Sequence, residues 1–137
     1  MDFLIAAHDE APHIVAKIGN CLDQDNPAGH RLRVLVVSDG STDGTADLAR
    51  SVDDDRVTVM ETPGRVGKLA AVNIGLERLT GDVVVFSDAN GLLAPGSLGG
   101  AGRTLWRPAG GRRLRTHRHQ PRHRRQHRPG RGAVLAL

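Results

Sequence analysis

The sequence predicts an α/β fold, a mostly parallel sheet of about four strands with flanking helices, followed by a disordered basic tail. Three observations predict it. Four short runs rich in Val, Ile and Leu have the length and composition of strands buried on both faces. Between them lie stretches with helical spacing, an alternation that gives parallel strands joined by right-handed crossovers. After Leu98 no acidic residue occurs, and Arg, His, Gly and Pro replace the apolar periodicity a core requires.

The first strand is Phe3 to Ala7, which runs into His8-Asp9-Glu10-Ala11-Pro12. Pro12 suits a first helical turn, where its missing N–H costs nothing. Ile14, Ile18, Cys21 and Leu22 then form a packing stripe, and the helix ends by Asp25, before the breaker cluster Asn26-Pro27-Ala28-Gly29. Leu32 to Val37 is the second strand and stops on Asp39-Gly40-Ser41-Thr42-Asp43-Gly44. Gly40 turns the backbone, and Asp43 or Thr42 caps a helix from Thr45 to Ser51. A third strand, at the sheet edge, covers Arg56 to Met60. After the loop Pro63 to Gly67, a helix runs from Lys68 to about Leu79, with Leu69, Val72, Leu76 and Leu79 spaced along one face. Thr80-Gly81 stops it, and Asp82 to Phe86 is the fourth strand, delivering Ser87-Asp88-Ala89-Asn90.

Charge divides the chain. All 15 Asp and Glu lie at or before Asp88, while 11 of the 19 Lys and Arg follow Leu98. Residues 1–98 therefore carry a formal −7 and residues 99–137 a formal +11, so the basic pI describes the tail. The lone cysteine, Cys21, excludes an internal disulfide and a Cys-based metal cage, and its place on an apolar stripe reads as packing. No apolar run approaches the roughly 18–20 residues of a membrane span. Met1 leads straight into a strand instead of a charged leader, so a cytoplasmic chain is expected.

In a parallel sheet the four strand ends face one edge. His8 to Glu10, Asp39 to Ser41, Arg65 to Lys68 and Asp88 to Asn90 would then converge on one crevice, where open α/β sheets bind ligands. Two phosphate-loop readings fail on spacing. Gly64-Arg-Val-Gly67-Lys68-Leu69 lacks the four-residue spacer and the Ser or Thr of a Walker loop, and Gly40-Ser-Thr-Asp-Gly44 lacks the dinucleotide fingerprint.

Taken together, Ala7-His8-Asp9-Glu10, Val37-Ser-Asp-Gly-Ser-Thr-Asp-Gly-Thr45, Gly67-Lys68-Leu-Ala-Ala71 with Asn73 and Gly75, and Phe86-Ser-Asp-Ala-Asn90 show a resemblance. They resemble the nucleotide-binding half of the inverting family 2 glycosyltransferases of GT-A fold, in particular the cellulose-synthase-like branch. The resemblance covers residues 3–98. It implies a Rossmann-like half-domain over residues 1–98 that binds a nucleotide-diphosphate sugar, UDP-linked, with His8, Glu10, Asp39, Gly40, Ser41, Lys68 and Asp88 in the nucleotide site. A carboxylate such as Asp39 accepts hydrogen bonds from a base N–H, and Glu10 holds the base or the ribose hydroxyls. Lys68 at a helix N-terminus suits a diphosphate. Asp88 falls on the first carboxylate of the family's Asp-x-Asp motif, which implies contact with a divalent cation, Mg²⁺ or Mn²⁺. The second position is Asn90, an uncharged oxygen ligand, so weaker or diphosphate-dependent metal binding is expected.

The resemblance places the catalytic base, the acceptor site and any processivity motif beyond the matched stretch, so no residue here is assigned as the base and the chain is expected to lack turnover alone. For residues 99–137 the expectation is a frameshifted tail, since shifting the codons by one base permits text that continues the preceding helix and strand. Two other readings remain open. A sugar-nucleotidyltransferase would need a Gly-rich basic loop after the first strand, which His8-Asp9-Glu10 is not. A polyanion-binding protein would act through the tail, without specific nucleic-acid recognition, because Trp106 is the tail's only aromatic residue.

Overall fold

The computed structural model describes residues 1–25, 29, 31–81, 83–98, 104–106 and 133–136. In chain order the elements are β1 (Asp2–Ala7), α1 (Ile14–Leu22), β2 (Arg33–Ser38), α2 (Thr45–Arg50), β3 (Val57–Glu61), α3 (Lys68–Arg78), β4 (Val83–Phe86), β5 (Thr104–Trp106) and β6 (Ala133–Ala136). One sheet holds all six strands in the order β3-β2-β1-β4-β6-β5. β1 to β4 are mutually parallel, as expected.

Two short strands come from the stretch expected to be disordered. β6 pairs parallel with β4, and β5 antiparallel with β6. Ala133-Val-Leu-Ala136 is an apolar run that suits a parallel ladder. The expectation for residues 99–103, 107–132 and 137 lies outside the described residues.

Alternation along β1 and β2 separates two cores. Phe3, Ile5, Val34 and Val36 pack with Ile14, Ile18 and Cys21 of α1 and Ala49 of α2. Leu4, Leu35 and Val37 face the other way, onto Ala71 and Leu76 of α3. Each fully buried large side chain stabilises by about 1.5–3 kcal/mol, so the three central strands fix the sheet. Burial lifts the Cys21 thiol to about 11, which leaves it an inert packing group.

The helix starts differ from the sequence expectation in two respects, the first being that Pro12 lies ahead of the His13 N-cap of α1 instead of in its first turn. Gly44, in a left-handed conformation, occupies the N-cap of α2, and neither Asp43 nor Thr42 caps it as the first flanking residue. Asp43 still acts one residue earlier, accepting from the Thr45 backbone N–H at 3.0 Å.

Strand order decides where a ligand belongs. The chain lays β2 and β3 on one side of β1 and then returns to place β4 on the other. The connections after β1 and β4 therefore diverge, which opens a crevice at the carboxyl ends of these two strands.

Candidate functional site

At that switch point lies an open crevice of about 250 Å³ lined by Ala6, Ala7, His8, Glu10, Asp39, Arg65, Lys68, Asp88, Ala89 and Asn90. Five of the seven residues expected at the nucleotide site line it, together with both expected metal ligands.

Asp39 is the most constrained of them. It is buried at 3% exposure, directly beyond β2. Its Oδ1 accepts from the Val66 N–H at 2.6 Å and the Thr62 hydroxyl at 3.2 Å, and its Oδ2 from the Gly67 N–H at 2.8 Å. Burial pushes its pKa up, but the Val66 and Gly67 N–H groups, the Thr62 hydroxyl and His8 more than offset this and hold it below the ordinary carboxylate value. Asp39 thus anchors the loop into α3. A carboxylate has about four acceptor positions, so one remains, on Oδ2.

Gly40 makes that anchorage possible. At φ +62° a Cβ would lie 2.4 Å from the Arg65 backbone nitrogen and 2.7 Å from the Gly64 carbonyl carbon, so only glycine lets the two loops meet. Ser41 also serves the scaffold, since its Oγ accepts from the Asp9 N–H at 3.2 Å and from the Ser38 hydroxyl at 2.9 Å. Neither Gly40 nor Ser41 lines the crevice, and their observed contacts are with other loops.

The loop after β1 is laced to the loop after β2 by reciprocal bonds. Asp9 accepts from the Thr42 N–H at 2.8 Å, Asp43 from the Ala11 N–H at 2.9 Å, and Thr45 Oγ1 from the Glu10 N–H at 2.9 Å. Asp9 holds a positive φ of 52° to make this fit. The Thr45 hydroxyl and then the Ala11 N–H hold the Asp43 pKa below its usual value. The lacing fixes the backbone of Glu10, whose carboxylate has no hydrogen-bond partner among the described residues and faces the crevice ready to accept. His8 is set by its ring. The Asp39 carbonyl 2.7 Å from Nδ1 can only accept, so Nδ1 carries a proton, and Nε2 lies 3.5 Å from Asp9 Oδ2.

On the β4 side, Lys68 and Asp88 form an ion pair across the crevice, both side chains well exposed. Asn90 lies two residues beyond Asp88, in the same turn. Their oxygens are of the kind Mg²⁺ and Mn²⁺ accept. Among the described residues no group of three or more His, Cys, Asp or Glu stands ready to hold an ion alone. The two oxygens fit such a cation only if its remaining ligands come from outside this turn.

Residues 2–103 match the family model for glycosyl transferase family 2. The chain belongs to that family. The chain is similar to an uncharacterized glycosyltransferase of Haemophilus influenzae, 34% identical over 77 residues, covering 55% of this chain and 30% of that one. It is also similar to the glycosyltransferase AglE of Haloferax volcanii, 32% identical over 89 residues, covering 64% and 29%. Among solved structures, the mannosyltransferase PcManGT of Pyrobaculum calidifontis, in complex with GDP-Man and Mn²⁺, superposes with a TM-score of 0.64 at 36% identity, over 71% of this chain and 29% of that one. TarS of S. aureus, in complex with UDP-GlcNAc, superposes at 0.63 with 21% identity, over 72% and 28%, and shares the fold. The chain spans about three tenths of the length of these relatives. Its four parallel strands and flanking helices form a GT-A half-domain, and no helix among the described residues is long and apolar enough to cross a membrane.

Sequence reasoning left three contributors without a role. Arg65 lines the crevice beside Asp39, and its only signal was its place at a strand end. Thr62 is buried and joins Asp39 to Gly64. Lys17 is fully buried within α1 although charged, and the available signal was its position three residues after Ile14, on the apolar side.

Proposed function

We propose that this chain provides the donor-nucleotide site of an inverting glycosyltransferase that uses a nucleotide-diphosphate sugar. The observation that carries the reading is the meeting of Glu10, Asp39, Lys68 and Asp88 from four different strand ends in one switch-point crevice. The volume, about 250 Å³, lies just below the roughly 300–1,000 Å³ of small-molecule pockets, which suits the nucleotide portion of a sugar donor.

The roles follow from what each group has free. The remaining acceptor position on Asp39 Oδ2 takes a base N–H, and Glu10 accepts from the base N–H groups or from the ribose hydroxyls. Lys68 leaves Asp88 for a diphosphate oxygen, as a charged donor at the first residue of α3. Arg65, from the same loop, adds a second cation. With Glu10, Asp39 and Asp88 against Arg65 and Lys68, the lining is formally −1 when His8 is neutral, so a diphosphate enters favourably only in company. A bound Mg²⁺ or Mn²⁺ would offset the charge that develops on the departing diphosphate. Asp88 and Asn90 would hold it, and the Asn90 amide makes that grip weaker than a carboxylate pair would.

Inverting transfer also needs a base on the acceptor hydroxyl. No described residue is assigned to it. The cellulose-synthase-like affiliation and a uridine donor come from the sequence motifs, whereas the similar mannosyltransferase was solved with a guanosine donor.

The test is calorimetric titration of the full chain with UDP and with GDP, each with and without Mn²⁺. We expect one nucleotide to bind more tightly with Mn²⁺, and Asp88→Asn to remove most of that enhancement. Absence of binding by a folded chain to either nucleotide would overturn the reading.

A further inference from the structure

Helix α1 sends no side chain into the crevice, yet two of its polar groups reach the segment that follows the metal-side turn. Lys17 is fully buried and its Nζ donates to the Gly91 carbonyl. Asn20 takes both backbone groups of Leu93, with Nδ2 donating to the carbonyl at 3.0 Å and Oδ1 accepting from the N–H at 2.7 Å. Three residues apart, the two side chains are neighbours on the helix surface. They grip Gly91 and Leu93, directly after Asp88-Ala89-Asn90.

The turn needs such a grip. Its own closure, Gly91 N–H to the Asp88 carbonyl, is 3.5 Å long, at the limit of a hydrogen bond. Asp88 and Asn90 are both exposed. A buried ammonium is also costly where packing alone would accept Leu or Met, so Lys17 is expected to do something an apolar residue would not.

We propose that Lys17 and Asn20 are positioning residues for the donor site, fixing the Asp88–Asn90 turn so that both oxygens can reach one divalent cation at the diphosphate. The inference rests on the donor-site reading above, and its test separates the two.

Two variants of the full chain, Asn20→Ala and Lys17→Met, are compared with the unaltered protein. Amide hydrogen exchange of residues 88–93 is measured without ligand, and GDP and UDP binding with and without Mn²⁺. Both variants should exchange faster at 88–93 and bind metal-free nucleotide as before, while the enhancement by Mn²⁺ falls about tenfold, the scale of losses when groups supporting metal ligands are removed.

Lys17→Met carries a sign check. Removing a positive charge near Asp88 would by itself tighten cation binding, so a weaker Mn²⁺ effect in that variant can come only from lost positioning. Unchanged exchange at 88–93, or an undiminished Mn²⁺ effect, overturns the proposal. If Lys17→Met does not fold, Asn20→Ala, at a partly exposed position, decides alone. If the unaltered chain binds neither nucleotide, the donor-site reading fails and this proposal falls with it, whereas a Mn²⁺ effect present in the unaltered chain and undiminished in both variants overturns this proposal alone.

Discussion

Asp39 holds its loop before it meets any ligand, because three of its acceptor positions are taken by Val66, Gly67 and Thr62. Asn at this position keeps the shape but replaces one oxygen by an NH₂ group. Whichever way that amide is set, it presents hydrogens to a backbone N–H that has lost its acceptor. An orphaned donor of this kind costs about 1–3 kcal/mol. Asp39→Asn should therefore lower the thermal midpoint, while Glu10→Gln, which disturbs no observed side-chain bond, leaves it unchanged and weakens only nucleotide binding. Thermal unfolding of the two variants side by side checks this, and equal midpoints would show that Asp39 is no anchor. The sequence placed Asp39 correctly at a strand end but not its partners, which lie 23 to 28 residues further along and meet it only because Gly40 has no Cβ.

Among the elements, α3 shows where hydrophobic spacing misleads. Leu69 belongs to the predicted apolar face but is 48% exposed, whereas Ala71 and Gly75 are buried against the sheet. Spacing counts large side chains, and a helix seated close to a sheet needs small ones. A Cβ on Gly75 would lie 2.5 Å from Leu4 Cδ1 and 2.9 Å from Val37 Cγ2. Gly19 in α1 has nothing within 4 Å of the same position. Alanine gains about 1 kcal/mol over glycine in either helix, but overpacking costs about 1–3 kcal/mol. Gly19→Ala should thus raise the urea midpoint and Gly75→Ala lower it. A rise in both would mean that α3 does not sit as close to β1 and β2 as described. β1 to β4 were legible to within about a residue, since a buried parallel strand is an uninterrupted apolar run, whereas β5 and β6 fall in the stretch expected to be disordered. The loop lacing was not, because Asp9, Asp43 and Thr45 act on residues 32 to 35 positions away and no local pattern encodes such pairs.

For the whole molecule, two carboxylates that organise the crevice side and one at the opposite edge, in the turn before β3, set its response to acid. Asp39, Asp43 and Asp54 all have pKa values held below the ordinary range, Asp54 at about 2 through Arg56, which donates from its side chain and backbone. A carboxyl group that ionises more readily when folded contributes its stability above its unfolded value of about 3.9 and loses it as pH falls through the folded value. Unfolding should therefore take up protons between about pH 4 and pH 2, and urea midpoints should fall across that window while changing little just above it. Acid also leaves the chain with 19 Lys and Arg and 7 His as unopposed positive charges, a repulsion that lowers stability without reference to any one site. The two causes separate in Asp54→Asn. That variant keeps the general repulsion but has one proton fewer to take up on unfolding, so its stability should be lower at pH 5 and converge with that of the unaltered chain near pH 2. Parallel curves from pH 5 to pH 2 would leave the Asp54–Arg56 pair without a part in the acid loss.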